Sequence, residues 1–200
     1  RIVRKERLHD TVSLIEVEAP YVARKALPGQ FIVLRIDEKG ERIPLTIADY
    51  DREKGTATVI FQKVGATTKR LDLLEEGDYL MDFAGPLGKA SEFDHLKGKK
   101  AAVVAGGLGV AIAYPQAKAI GADVDAFIGF RSTSLYILTE EFKSACKNLY
   151  IMTDDGSNGH KGFVTEALAE QLKAGTRYDE VFVLGPMPMM RAVCNLTKEY

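Results

Sequence analysis

The stretch Ala101-Ala102-Val103-Val104-Ala105-Gly106-Gly107-Leu108-Gly109 decides the fold class of this chain. Its first five residues form a continuous apolar run, which is typical of a strand buried on both faces of a parallel sheet. The glycines that follow allow a tight turn into a helix and a close approach of the backbone to a dinucleotide pyrophosphate. Ile112 stands where the full GxGxxG fingerprint has its third glycine. The turn is therefore either another subtype of nucleotide-binding turn or an ordinary tight turn.

Strands and helices alternate through the rest of the chain. The pattern predicts strands over residues 123–129, 149–153 and 181–184, and helices over 138–147, 164–172 and 188–199. This βα alternation favours a doubly wound parallel sheet.

The first half of the chain has a different pattern of hydrophobic and polar residues. Short runs rich in β-branched residues, bounded by turn signals, predict strands over 11–18, 31–36, 56–64 and 79–84. Only residues 67–74 show a helical pattern. We therefore expect two domains: an antiparallel β-barrel over residues 1–96 and an α/β domain over residues 97–200.

The composition narrows the classes of function. The chain of 200 residues is 46% hydrophobic and 28% charged, with a formal net charge of -1. The chain has enough apolar residues to form two hydrophobic cores. Its near-zero net charge gives no sign of the excess of basic residues that binding to nucleic acid or an anionic membrane surface needs. Cys146 and Cys194 lack a metal-ligand spacing, so we expect no metal site and two reduced thiols in a cytoplasmic protein. We find no signal peptide and no apolar run long enough to span a bilayer.

The segment from Arg42 to Thr46 has the residue types of a flavin site. A guanidinium at Arg42 suits a pyrophosphate, and apolar Pro44 and Leu45 suit the isoalloxazine ring. Thr46 is the candidate catalytic residue, because its hydroxyl can hydrogen-bond the flavin near N5 and tune its electronics. The alternative is a plain strand with an exposed arginine.

A second candidate follows at Gly65-Ala66-Thr67-Thr68. Gly65 allows close backbone approach, and Thr67 or Thr68 can cap the next helix, whose free N–H groups bind anions. An ordinary capped helix is the alternative. The Gly85-Pro86-Leu87-Gly88 segment further on predicts a tight turn.

Three loops of the second half are candidate nucleotide contacts. Arg131, Ser132 and Ser134 follow a strand where an acidic residue often holds the ribose of NAD, and they suit a 2′-phosphate, which favours NADP. NAD as the nucleotide and a solvated loop arginine are the alternatives. Asp155 lies in a glycine-rich loop and holds either ribose hydroxyls or the loop itself. Gly185, Pro186 and Met187 form a tight turn, over which a nicotinamide could lie.

The order of these motifs resembles the ferredoxin–NADP reductase superfamily over essentially the whole chain. Within it, the chain is most similar to the alpha subunits of NADH-dependent ferredoxin–NADP oxidoreductase, also called sulfide dehydrogenase beta subunits, and to dihydroorotate dehydrogenase electron-transfer subunits. The resemblance implies FAD bound by Arg42, Pro44, Leu45, Thr46, Gly65, Thr67 and Thr68. It implies a pyridine nucleotide bound by Gly107, Gly109, Arg131, Asp155, Gly185, Pro186 and Met187.

The chemistry that this resemblance implies is hydride transfer between the nicotinamide and flavin N5, followed by single-electron transfer to an iron–sulfur or flavoprotein partner subunit. The chain departs from the superfamily pattern in three ways. Arg42 stands four residues before Thr46 rather than three, and Leu45 replaces a frequent aromatic residue. A cysteine-rich [2Fe-2S] segment normally follows, so we expect the chain to be truncated at Tyr200. The other readings are a non-catalytic scaffold subunit and a stand-alone flavin reductase.

Overall fold

The computed structural model describes residues 1–121 and 123–200, which divide by their contacts into two units, Arg1–Ser91 and Glu92–Tyr200. The sequence places this boundary between residues 96 and 97. The difference arises because residues 92–96 pack against the second unit. Phe93 packs edge-on against Phe182, with ring centroids 5.6 Å apart, and His95 Nε2 lies 2.6 Å from Glu180 Oε2.

The first unit is one six-stranded antiparallel sheet with two short helices. The strands are β1 (Ile2–His9), β2 (Val12–Glu18), β3 (Phe31–Arg35), β4 (Ile43–Asp51), β5 (Thr56–Gln62) and β6 (Asp82–Leu87), and the helices are α1 (Pro20–Lys25) and α2 (Ala66–Leu71). Their order in the sheet is β1-β2-β5-β4-β3-β6. The predicted antiparallel architecture is confirmed, and closure of this sheet into a barrel stays a prediction.

Two elements of this unit, β1 and α1, are not predicted by the sequence pattern. β1 carries four consecutive charged residues, Arg4 to Arg7, so it lacks an alternating apolar face. Such charge is common on an edge strand, where it discourages pairing with other chains. The expectation of a single helix in this half was wrong, because α1 places Val22 and Ala23 in the core.

The strand expected over residues 79–84 lies further along the chain, at β6. Arg35 pairs with Asp82 and Phe31 with Leu87, which sets the register of β6 against β3. Tyr79 is 73% exposed and precedes the strand. Part of the apolar character of residues 79–84 therefore comes from an exposed tyrosine that lies before the strand. For this reason the sequence pattern places the start of the strand too early.

The second unit is a four-stranded parallel sheet with helices between its strands. The strands are β7 (Ala101–Gly106), β8 (Asp125–Phe130), β9 (Asn148–Thr153) and β10 (Glu180–Leu184), and the helices are α3 (Gly109–Ile120), α4 (Thr139–Ala145), α5 (Val164–Lys173) and α6 (Met187–Thr197). The parallel sheet agrees with the βα alternation of the sequence. None of the helices that the structure describes is long and apolar enough to cross a membrane.

The strand order β10-β7-β8-β9 creates a switch point between β7 and β10. From β7 the chain runs to β8 and β9, and then returns to the other side of β7. Helix α3 packs with α4, and α5 packs with α6. Because right-handed crossovers in opposite directions cover opposite faces, this sheet is doubly wound. In such sheets ligands bind outside the carboxyl ends of the strands at the switch point.

A buried carboxylate ties together the amino ends of these strands. Asp125 is 1% exposed, and its oxygens accept hydrogen bonds from Asn148 Nδ2 at 2.7 Å and from the Tyr178 hydroxyl at 2.8 Å. Lys100 Nζ lies 3.0 Å from the same carboxylate. Burial and the hydrogen bond to Asp125 raise the pKa of Tyr178. This cluster lies at the end of the sheet opposite to the candidate ligand-binding edge.

Candidate functional site

A groove of about 290 Å³ opens in the first unit beside β3 and β4. It is lined by three of the predicted flavin residues, Pro44, Leu45 and Thr46, together with Gly29 and Phe31. The register pairs Thr46 with Phe31 across the two strands. Antiparallel pairing therefore brings these side chains together from separate segments of the chain.

Phe31 and Gly29 are missed by the sequence reasoning. The Phe31 ring packs against Gly88, where an added β-carbon would lie 2.8 Å from Phe31 Cε1. Gly29 has φ +84°, and a β-carbon there would lie 2.5 Å from Ser91 Oγ. Leu45 alone would give the groove an aliphatic wall, and Phe31 adds an aromatic one. The only local signal is the Pro28-Gly29 turn, which predicts the start of a strand and not a ligand contact.

Arg42 lies outside the groove lining and is paired. Its guanidinium is 2.9 Å from Asp82 Oδ2, and Arg35 Nε is 2.7 Å from the same oxygen. The hydrogen bond from Arg35, with the charges of both guanidinium groups, holds the pKa of Asp82 below its usual range. The Arg42 side chain is still 61% exposed, so a ligand anion can compete with Asp82 for it.

The Gly65–Thr68 segment forms the first turn of α2, and of the two predicted capping residues Thr68 contributes to the cap, from inside the first turn and not from the N-cap position. Gly65 is the N-cap residue. Thr68 is the third residue of the helix, and its Oγ1 accepts a hydrogen bond from the Gly65 N–H at 3.1 Å. Thr67 instead donates to Glu41 Oε2 at 3.2 Å. No atom lies within 4 Å of a β-carbon added at Gly65, so the backbone there is open to a ligand.

In the second unit, the turns after β7 and β10 touch backbone to backbone. A β-carbon at Gly109 would lie 2.5 Å from the Leu184 carbonyl oxygen, and one at Gly185 would lie 3.2 Å from the Gly106 nitrogen. Gly185 also has φ +153°, which favours glycine. The predicted residues Gly109 and Gly185 therefore meet at the switch point of the sheet. Gly109 is needed there for packing.

Gly107 has a different role. Its φ is +55°, and no atom lies within 4 Å of a β-carbon added to it. Pro186 is exposed in the neighbouring turn, and Met187 is 64% exposed. The predicted residues Gly107, Pro186 and Met187 thus leave an accessible backbone surface at the switch point. Such a surface fits a pyrophosphate or a flat ring, which both require close backbone approach.

The predicted ribose contacts lie on the adjoining turns after β8 and β9. The Asp155 N–H donates to the Arg131 carbonyl at 3.1 Å, and the Ser132 and Ser134 hydroxyls are 2.7 Å apart. The hydrogen bonds from Ser157 lower the pKa of Asp155. An ionised carboxylate and a guanidinium are therefore held on neighbouring backbones, at the edge where α/β sheets bind ligands.

Comparison with known proteins gives the family. No family model matches the chain. It is 38% identical over 202 residues to the dihydroorotate dehydrogenase B (NAD(+)), electron transfer subunit homolog of Thermotoga maritima, an alignment that covers 100% of this chain and 70% of that protein. It is 34% identical over 205 residues to the dihydroorotate dehydrogenase B (NAD(+)), electron transfer subunit of Shouchella clausii, covering 99% of this chain and 77% of that one.

Solved structures agree with these relatives. A chain of the NADH-dependent reduced ferredoxin-NADP oxidoreductase, described in connection with flavin-based electron bifurcation, superposes with a TM-score of 0.88 at 37% identity, covering 99% of this chain and 71% of that one. The ferredoxin reductase in carbazole 1,9a-dioxygenase shares the fold, with a TM-score of 0.79 at 19% identity over 99% of this chain and 63% of its own. The chain therefore belongs to the family of dihydroorotate dehydrogenase electron-transfer subunits, within the ferredoxin reductase-like flavoprotein oxidoreductases.

Proposed function

We propose that this chain is an FAD-dependent oxidoreductase subunit that transfers hydride between NAD(P)H and FAD. The observation that carries the proposal is the groove in which Pro44, Leu45 and Thr46 meet the Phe31 ring. When bound, FAD supplies a ring that exchanges hydride at N5 and releases electrons singly. An apolar groove with one well-placed hydroxyl is typical of a site for a flat cofactor.

Each candidate flavin contact in the first unit has a distinct role in this proposal. The apolar side chains of Phe31, Pro44 and Leu45 exclude water from the ring. Thr46 donates or accepts one hydrogen bond near N5 and so orients the ring. The open backbone at Gly65, with Thr67 and Thr68, receives the pyrophosphate. Arg42 exchanges its bond to Asp82 for a bond to the same anion.

The second unit binds the pyridine nucleotide in this proposal. Gly107 leaves the backbone of the turn after β7 open to the pyrophosphate, and Gly109 lets this turn pack against the turn at Gly185. That second turn, with Pro186 and Met187, supports the nicotinamide. The remaining candidate contacts hold the ribose and its 2′ substituent: Arg131, Ser132 and Asp155. Both the accessible surface at Gly107 and the close packing at Gly109 support this assignment.

We also propose that the electrons leave to a partner subunit with an iron–sulfur or flavin centre, since both curated relatives are named electron transfer subunits. The described residues hold no cluster of side chains suited to a metal ion. The [2Fe-2S] cluster that the family resemblance implies takes four cysteine ligands, whereas this sequence has two cysteines.

Absorption spectroscopy tests the proposal. We expect the purified protein to bind FAD, and anaerobic NADH or NADPH to bleach the flavin band. Absence of a flavin band after incubation with FAD would contradict the proposal. FAD that binds but is not bleached would favour a non-catalytic scaffold subunit. Steady turnover without any partner would favour a stand-alone flavin reductase.

A further inference from the structure

A single half-buried amide organises the loop that follows β9. Asn158 Oδ1 accepts hydrogen bonds from Thr153 Oγ1 at 2.8 Å and from the His160 N–H at 2.9 Å. Its Nδ2 donates to the Ile151 carbonyl at 2.9 Å. The Tyr136 phenol lies beside the same side chain, whose amide partly offsets the rise that burial causes in the Tyr136 pKa. An amide has two donor hydrogens and two acceptor sites, so these three hydrogen bonds use both acceptor sites and one of the donors.

The loop that Asn158 organises continues the sheet beyond its regular end. The Asp154 N–H donates to the Phe130 carbonyl at 3.0 Å, and the Asp155 N–H donates to the Arg131 carbonyl at 3.1 Å. The β8–β9 ladder thus extends into the two turns that carry the candidate ribose contacts. The loop then returns to β9, because the Gly162 N–H donates to the Thr153 carbonyl at 3.1 Å.

Tyr136 links this loop to the turn after β8. Its ring packs against Phe130 with centroids 4.9 Å apart, while its hydroxyl meets Asn158. A second link joins the same two turns, since the Thr133 N–H donates to Ser157 Oγ at 2.9 Å. The Arg131 and Asp155 backbones are therefore joined by a direct hydrogen bond, and the contacts of Tyr136 and Ser157 flank it on the loop that Asn158 organises.

We propose that Asn158 is a positioning residue for the pyridine-nucleotide site: it holds Asp155 beside Arg131 and thereby sets the affinity for the nucleotide ribose without touching it. The inference rests on the proposed function, because it concerns the same ligand-binding edge. Groups that are held in place before binding lose less conformational entropy when a ligand arrives. Loss of the Asn158 amide therefore weakens ground-state binding and leaves the reacting atoms unaltered.

The test compares three variants of the FAD-loaded full chain: Asn158→Ala, Tyr136→Phe and Asn148→Ala. The matched control is Asn148→Ala, because it removes the same side-chain type at the start of β9, where the amide bonds Asp125 and not the ligand edge. The dissociation constant for NADH is measured by equilibrium titration, and KM and kcat by anaerobic flavin reduction. Tyr136→Phe keeps the ring packing and removes only the hydroxyl, which guards against misfolding of Asn158→Ala.

We expect Asn158→Ala to raise the NADH dissociation constant and KM about tenfold and to leave kcat within about twofold. Tyr136→Phe should raise both about threefold, and Asn148→Ala should change them less than about twofold. Equal rises in KM for Asn148→Ala and Asn158→Ala would overturn the inference, as would a fall in kcat without a rise in KM. Failure of the unmodified chain to bind any pyridine nucleotide would instead refute the proposed function.

Discussion

Phe31 and Thr46 face each other across the paired strands β3 and β4, and both residues line the same groove. An aromatic ring and a hydroxyl thus stand side by side on one open surface of the first unit. Valine has nearly the same shape as threonine but no hydroxyl. The substitution Thr46→Val therefore tests the hydroxyl while the shape of the groove is kept.

Thr46→Val should slow the reduction of bound FAD by NADH or NADPH about tenfold, because one hydrogen bond to the reacting ring is lost. FAD content should remain close to that of the unmodified protein, since the groove keeps its apolar lining. Stopped-flow absorbance measures the rate, and the ratio of flavin to protein absorbance measures occupancy. Thr58→Val, at a hydroxyl on β5, is the matched control. An unchanged rate in Thr46→Val would contradict the proposed hydrogen bond between Thr46 and the flavin.

Gly109→Ala and Gly107→Ala should differ in stability although both change a glycine of the same turn. At Gly109 the new methyl would meet the Leu184 carbonyl oxygen at 2.5 Å, whereas at Gly107 it meets no atom within 4 Å and costs only the strain of φ +55°. We expect losses of about 3 kcal/mol and about 1 kcal/mol respectively in the free energy of unfolding. Equilibrium urea unfolding measures both, and equal losses would contradict the packing role of Gly109.

The strands of the second unit are predictable because their signal is local. β7 is buried at every position, so the run from Ala101 to Ala105 carries its own evidence of a sheet covered on both faces. β1 carries no such evidence, because its charges suit the exposed edge of a sheet that only the rest of the fold creates. The same holds for α1, whose N-cap residue Ala19 offers no capping side chain.

The site residues that the sequence misses depend on pairing between distant segments. Phe31 joins the groove only because β3 and β4 align it with Thr46. In the sequence, Asn158 is an ordinary polar residue of a glycine-rich loop. Its contacts with Tyr136 and Thr153 are seen only in the folded chain. Motif spacing points to candidate ligand contacts, and it carries no information on the groups that hold those candidates in place.

Thiol reactivity should distinguish the two cysteines. Burial raises the pKa of the Cys146 thiol to about 11, and its Sγ donates to the Phe142 carbonyl at 2.8 Å, whereas Cys194 is exposed. Because the thiolate is the reactive form, a disulfide reagent at pH 8 should modify Cys194 at least about tenfold faster than Cys146. Between pH 8 and pH 10 the Cys146 rate should rise about tenfold per pH unit, because its thiol is still mostly protonated. Cys194→Ser isolates the slow phase, and a pH-independent Cys146 rate would contradict the raised pKa.

Arg131 should discriminate between the two pyridine nucleotides. Arg131 follows β8, on the turn that also carries the Ser132 and Ser134 hydroxyls. A 2′-phosphate needs a cation with hydrogen-bond donors nearby. Arg131→Ala should therefore raise the dissociation constant for NADPH about tenfold more than that for NADH. The difference should shrink at high salt, because exposed charges are screened. Lys143→Ala removes an exposed cation of α4 and serves as the matched control. Equal losses for both nucleotides would show that Arg131 acts on a part that they share, and would remove the basis for a preference for NADP.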